Sequence, residues 1–223
     1  MNRSQEEARA AGLELIQTSE GLALTDGTMQ LIADFAHMIP RLKQGTLQRE
    51  LLVRAARARG VEDPVAFDAT AGFGEDSLLL AAAGYTVEMF ECNPVISALL
   101  ADALERAASD PRLSEAAARM HLHVGDSIAG MAELVAAGTV PYAVYLDPMF
   151  PGRTKSASVK KKFQLLHHLE QPCADEAALL AAARATGARK IVIKRPVKGP
   201  LLADAKPSAQ FKGKAVRYDV LAF

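Results

Sequence analysis

From Val65 onward, short apolar runs alternate with longer stretches that read as helices. Val65-Ala66-Phe67-Asp68-Ala69, Tyr85 to Phe90, Met120 to Val124, Pro141 to Leu146 and Lys190 to Lys194 read as buried strands. Between them, Glu75 to Ala83, Pro94 to about Ala108, Ser127 to Ala137 and Asp175 to Thr186 read as helices. Gly84 stops the first of these, and Pro94 opens the second, where its missing N–H costs nothing. Val216 to Ala222 reads as a late strand. Strands alternating with helices of this length predict an α/β fold, Rossmann-like, with a mostly parallel sheet covered by helices on both faces.

Before Val65 the pattern is less regular. Leu13 to Thr25 alternates around Ser19-Glu20-Gly21, which predicts a small hairpin. Met29 to Phe35 is open to either strand or helix. Leu47 to Arg59 has helical spacing, with Leu47, Leu51, Leu52 and Ala55 on one side and Gly60 as its stop. Residues 1–60 are therefore expected to form a small N-terminal extension, and residues 61–223 the main domain.

Half of the 223 residues are hydrophobic and 23% are charged, which suits a chain that buries a core. No apolar run approaches the roughly 18 residues needed to cross a bilayer. Met1 to Arg9 is polar and charged, unlike a secretory signal. Cys92 and Cys173 form neither a metal-ligand spacing nor a disulfide framework, and His121 and His123 alternate on a strand without further ligands. The expectation is a cytoplasmic protein with reduced thiols and no metal. Net charge is zero, but it is uneven. Pro151 to Leu169 holds Arg153, Lys155, Lys160, Lys161 and Lys162 and no acid. Ala188 to Phe223 holds nine basic residues against Asp204 and Asp219. A basic face toward the C-terminal half is expected.

Acids recur at the ends of successive strands. Asp68 ends the first, Glu91 the second, and Asp126 follows the third with Ser127 beside it. Ligands of open parallel sheets sit at such ends. Gly72 and Gly74 allow a tight turn and close approach to a ligand. Glu91, 17 residues after Gly74, can accept hydrogen bonds from ribose hydroxyls. Asp126 can accept from an adenine amino group, with Ser127 hydrogen-bonding nearby. Glu75 and Asp76 at the helix start would repel a pyrophosphate and suit a sulfonium cation or an amine. That favours S-adenosylmethionine over a nicotinamide dinucleotide.

After the fourth strand comes Asp147-Pro148-Met149-Phe150-Pro151. The Asp147 carboxylate and the Pro148 carbonyl can both accept from one exocyclic amine. Phe150 offers a ring for a planar base to stack on. Such positioning suits methyl transfer to a ring-conjugated amino group without a covalent intermediate.

The loop resembles the Asp/Asn-Pro-Pro-Phe/Tyr motif of amino methyltransferases. More closely, DATAGFGEDSLLLAAAGYTVEMFECNPVISALL, YLDPMFPGRTKSASVKKKF and IVIKRP resemble the J-type small-subunit ribosomal RNA guanine-N2 methyltransferases, over a stretch from about Met29 to Phe223. The resemblance implies a class I methyltransferase fold and methylation of one guanine of small-subunit (16S) ribosomal RNA. It also implies cofactor contacts at Glu75 and Asp76, Glu91 and Cys92, Asp126 and Ser127, and Asp147. Glu75 and Cys92 stand where the family often has arginine, which directs any contact there to the backbone. Gly152 replaces a frequent histidine, and a Gly- and Arg-rich stretch is reduced to Arg41-Leu42-Lys43-Gln44-Gly45. Lys155, Lys160, Lys161, Lys194 and Arg195 are expected to touch RNA phosphates, and the N-terminal extension offers further RNA contacts. Methylation of an adenine or a protein-amide nitrogen, and a non-catalytic RNA-binding protein of this fold, remain alternatives.

Overall fold

A computed structural model describes residues 3–148, 165, 169 and 175–223. Helix α1 (Arg3–Ala10) leads into a small antiparallel sheet, β1 (Glu14–Thr18), β2 (Gly21–Thr25) and β3 (Gln30–Ile32), in that spatial order. The hairpin predicted around Ser19 to Gly21 is this β1–β2 pair, with Thr18 opposite Gly21. Between Met29 and Phe35 the chain is a strand for Gln30–Ile32. A 3-10 turn at Ala36–Met38 precedes three short helices, α2 (Ile39–Leu42), α3 (Gln44–Leu47) and α4 (Leu51–Ala56).

The single helix expected from Leu47 to Arg59 is thus broken. Glu50 adopts an extended conformation (φ −58°, ψ 129°), and Arg41 grips both of its carboxylate oxygens at 2.8 Å. A bidentate pair reaching back nine residues fixes the break that local spacing could not show.

The large sheet then builds from β4 (Val65–Asp68), α5 (Glu75–Ala82), β5 (Thr86–Glu91), α6 (Pro94–Ala108), α7 (Ser114–Ala117), β6 (Met120–Val124), α8 (Ser127–Ala136), β7 (Ala143–Leu146), α9 (Glu176–Ala185), β8 (Lys190–Pro196), β9 (Ala209–Lys212) and β10 (Val216–Ala222). Its order is β6-β5-β4-β7-β8-β10-β9. The first five in space are parallel, and β10 runs antiparallel to both β8 and β9. Gly84, with φ +98°, ends α5 in the left-handed conformation that closes a helix.

Strand alternation divides the core between the two faces. Ala66, Val87, Met89, Tyr145 and Val192 pack with α4, α5 and α6. Phe67, Phe90, Val144, Ile191 and Ile193 pack with Met131 of α8 and with Leu179, Leu180 and Ala183 of α9. The N-terminal segment joins the first face, because Ala8, Leu24 and Phe35 belong to the same buried cluster as Leu99 and Leu100 of α6. The chain leaves β4 toward β5 on one side and reaches β7 on the other. The carboxyl ends of β4, β5 and β7 therefore meet at the switch in strand order, where open α/β sheets place ligands.

Candidate active site

The loop after β4 is held from below by Asp68. This carboxylate is 1% exposed and accepts from Ser77 Oγ at 2.6 Å and from the Thr70 N–H at 3.0 Å. Burial pushes its pKa up to about 7, against the lowering effect of those two donors. Asp68 thus anchors the turn and does not face the open rim. The loop is further pinned by Ala69 N–H donating to the Tyr145 carbonyl (3.1 Å) and Ala71 N–H donating to the Phe90 carbonyl (3.1 Å).

The two glycines do different things. Gly74 (φ +74°) begins α5, and a Cβ there would stand 2.8 Å from Leu100 Cδ1 and 3.3 Å from Phe35 Cζ. It is a packing glycine. Gly72 (φ +55°) would direct a Cβ to a point with no atom of the described residues within 4 Å. Its N–H donates to Glu91 Oε2 at 2.9 Å.

Glu91 is 9% exposed and closes β5. Its Oε1 accepts from the Asn93 N–H at 2.8 Å. Burial raises its pKa, opposed by hydrogen bonds from the backbones of Asn93, Gly72 and Cys92 and from the Cys92 side chain. Two oxygens each engaged by a backbone donor, Gly72 and Asn93, are fixed in orientation and retain lone pairs for further donors. Cys92 is exposed beside it. Asp126 caps α8, accepting from Ile128 N–H (3.2 Å) and Ala129 N–H (3.4 Å), with Ser127 next in the chain. Exposed Val124 and Ile128 flank these two residues.

Glu75 and Asp76, adjacent at the start of α5, diverge. Glu75 points outward to His37 Nε2 at 3.2 Å. Asp76 points inward, where its Oδ2 accepts from Tyr145 Oη and from Lys194 Nζ, each at 2.6 Å. Lys194 also meets Asp147 Oδ2 at 2.9 Å. Burial alone would lower the Lys194 pKa, but the carboxylates of Asp76 and Asp147 outweigh it and hold the ammonium above the ordinary lysine value. Asp147 itself is tied to the first loop, because its N–H donates to Thr70 Oγ1 at 2.7 Å. Tyr218, opposite Lys194 in the β10–β8 register and 6% exposed, completes the wall.

Arg195 corrects an expectation. It was to share the rim with Lys194 as a phosphate contact, but neighbouring strand residues face opposite sides of a sheet. Its side chain is 1% exposed, with Nη1 on Glu176 Oε1 at 2.9 Å and Nε on the Pro200 carbonyl at 3.1 Å. Lys194 lies on the expected side and is engaged by the two acids. Pro148 is buried directly after Asp147. Phe150, Lys155, Lys160 and Lys161 fall outside the described residues. Thr70, Tyr145 and Tyr218 were not among the residues singled out for the site. The signal for two of them was alternation, since Tyr145 shares a strand face with Asp147 and Thr70 lies two residues after Asp68.

The residues fit a cationic nucleoside. Glu91 is held by the Gly72 N–H and Asp147 by Thr70 of the same loop, and Lys194 is matched by Asp76 and Asp147. Fold and site together define a methyltransferase that uses S-adenosylmethionine. A family model described as a putative SAM-dependent methyltransferase matches residues 3–222, and the chain belongs to that family. Its similarity extends to proteins named ribosomal RNA small subunit methyltransferase J. One from Neisseria meningitidis serogroup C is 40% identical over 199 residues, covering 89% of this chain and 79% of the relative. Another, from Pseudoalteromonas atlantica, is 41% identical over 218 residues, covering 94% and 84%. The crystal structure of a SAM-dependent methyltransferase from Neisseria gonorrhoeae matches with a TM-score of 0.77 at 31% identity, covering all of this chain and 92% of that one.

Proposed function

We propose that the enzyme methylates the exocyclic N2 amine of a guanine in small-subunit (16S) ribosomal RNA, in the cytoplasm. The observation that carries this reading is the hydrogen bond from the Asp147 N–H to Thr70 Oγ1, which fastens the acceptor loop to the glycine loop. The names of the relatives supply the ribosomal RNA.

When bound, S-adenosylmethionine supplies an electrophilic methyl group on a sulfonium. Glu91 would receive the ribose hydroxyls, and Asp126 with Ser127 the adenine edge. Gly72 leaves room for the backbone of this loop to lie against the cofactor, and Glu75 and Cys92 would contribute backbone groups. Gly74 and Asp68 shape the turn, and Asp76 lends negative charge near the sulfonium. Asp147 and the Pro148 carbonyl would accept the two N–H bonds of the guanine amine, drawing its lone pair out of the ring plane. Lys194 Nζ, 2.9 Å from Asp147 Oδ2, would hold that carboxylate in place to accept from the amine. The amine proton would leave to water or to Asp147. Phe150 would stack the base, which must be unpaired or flipped out. Lys155, Lys160 and Lys161 would position the RNA through phosphates. On this reading residues 61–223 form the catalytic domain and residues 1–60 add RNA contacts.

Transfer of a tritiated methyl group to small-subunit particles and to naked ribosomal RNA, followed by nucleoside analysis, tests it. Labelled N2-methylguanosine is expected. Label in adenine or in protein, or no label in RNA, would overturn it.

A further inference from the structure

The segment from Ile39 to Gly60 carries Arg41, Lys43, Arg49, Arg54, Arg57 and Arg59 against a single acid, Glu50, in a chain whose net charge is zero. Glu50 is engaged by Arg41 through both oxygens, so its charge does not offset the rest. Folding then sorts this segment by polarity. Leu52, Val53, Ala55 and Ala56 are buried, whereas Lys43, Arg49, Arg54, Arg57 and Arg59 are exposed.

A distant part of the chain adds to the same surface. Gly213, between exposed Lys212 and Lys214, is seated on α4: a Cβ on it would lie 2.9 Å from Leu51 Cδ1. The Arg54 guanidinium lies over the ring of Phe211, 5.5 Å from its centroid. That contact holds a long cation against a rigid plane, so less freedom is lost when it meets a ligand. The surface begins beside the candidate active site, since His37, just before α2, meets Glu75 at the start of α5 at 3.2 Å.

We infer that the exposed face of α2–α4, together with the Lys212-Gly213-Lys214 turn, is a docking surface for the phosphate backbone of the RNA substrate. The inference rests on the ribosomal RNA reading above. Among the described residues Arg49, Arg54, Lys212 and Lys214 form no salt bridge, so these exposed cations match a polyanion, and a backbone track leading to Asp147 would deliver the target base. The contacts position the RNA and carry no sequence information.

The test is equilibrium binding of the full chain to a small-subunit ribosomal RNA fragment across a salt series. The variants are Arg49→Gln, Arg54→Gln, Lys212→Gln and Lys214→Gln, singly and combined, with Arg184→Gln on α9, across the sheet, as control. Each lost phosphate contact should lower the slope of log affinity against log salt by about 0.7 to 0.9. The combined variant should bind at least about tenfold more weakly at moderate salt, while calorimetric binding of S-adenosylmethionine stays at the wild-type value and shows the fold intact. A slope and affinity equal to wild type in the combined variant would overturn the surface, with wild-type RNA binding still standing. Failure of the wild type to bind RNA at all would instead overturn the ribosomal RNA reading. Loss of binding to assembled subunits with unchanged binding to naked RNA would mean the face meets protein, and would also overturn it.

Discussion

Lys194 Nζ sits 2.9 Å from Asp147 Oδ2 and 2.6 Å from Asp76 Oδ2, so one ammonium joins the acceptor loop to the start of α5. Removing it would leave two carboxylates close together without the ammonium that joins them. Asp68, Tyr145, Tyr218 and Arg41 also face this cluster. Lys194→Met should cost roughly 2–4 kcal/mol of stability, toward the low side for a broken buried pair because the group is partly exposed. It should also lower kcat for methyl transfer more than it weakens S-adenosylmethionine binding, because Asp147 loses a partner that holds it. Lys194→Arg should recover most of the stability and of kcat. Denaturant unfolding, turnover rates and calorimetry on the two variants check this. An unchanged kcat in Lys194→Met would remove Lys194 from the positioning of Asp147.

Glu91 closes its strand and accepts from the backbones of Gly72 and Asn93. Glu91→Gln should weaken S-adenosylmethionine binding about 10- to 100-fold, the size of lost hydrogen bonds to a charged acceptor. Calorimetric titration measures it, and an unchanged affinity would take Glu91 out of the cofactor site.

The glycine pair should separate under one substitution. Alanine at either position carries the left-handed cost of about 1–2 kcal/mol. Gly74→Ala adds the contact with Leu100 and Phe35, so it should lower the melting temperature more. Gly72→Ala meets no atom of the described residues, so its larger effect should fall on cofactor affinity. Thermal melts and calorimetry on both variants decide the matter, and equal effects on both readouts would refute the division.

Asp68 gives a pH signature. Its folded-state pKa of about 7 lies above the ordinary 3.8, so the folded protein holds a proton that the unfolded chain has released between those values. Its contribution to stability therefore declines as pH rises from about 4 to about 7, then levels off. Asn at this position keeps an acceptor for the Thr70 N–H and does not titrate. The melting temperature of Asp68→Asn, relative to wild type, should rise between about pH 5 and about pH 8. A difference that stays constant across that range would show Asp68 to be ionised throughout.

Much of the sheet was legible because β4 to β8 are apolar runs bounded by turn residues. Pro94–Ala108, Met120–Val124 and Val216–Ala222 have the bounds that the pattern implies. What escaped depends on partners remote in sequence. The break between α3 and α4 is set by Arg41 reaching Glu50. Strand β9 escaped because its residues, at the outer edge of the sheet, are mostly exposed and carry no alternation. In the site, the acids at the strand ends were visible one at a time. That Lys194 joins Asp147 to Asp76 at the start of α5 was not, because it follows from β8 lying beside β7. Arg195 was assigned to the wrong side where parity alone was decisive: Ile191 and Ile193 share its face, and Val192 shares that of Lys194.

The antiparallel insertion of β10 between β8 and β9 bears on how the protein is made. Strand β10 is synthesised after β9 yet pairs inside it, along β8 from Pro196 to Lys190. Until β10 emerges from the ribosome, β8 presents an unpaired edge of the kind that recruits foreign strands. The same delay withholds Tyr218 from Lys194, so a nascent chain gains a complete site only once its last strand is in place.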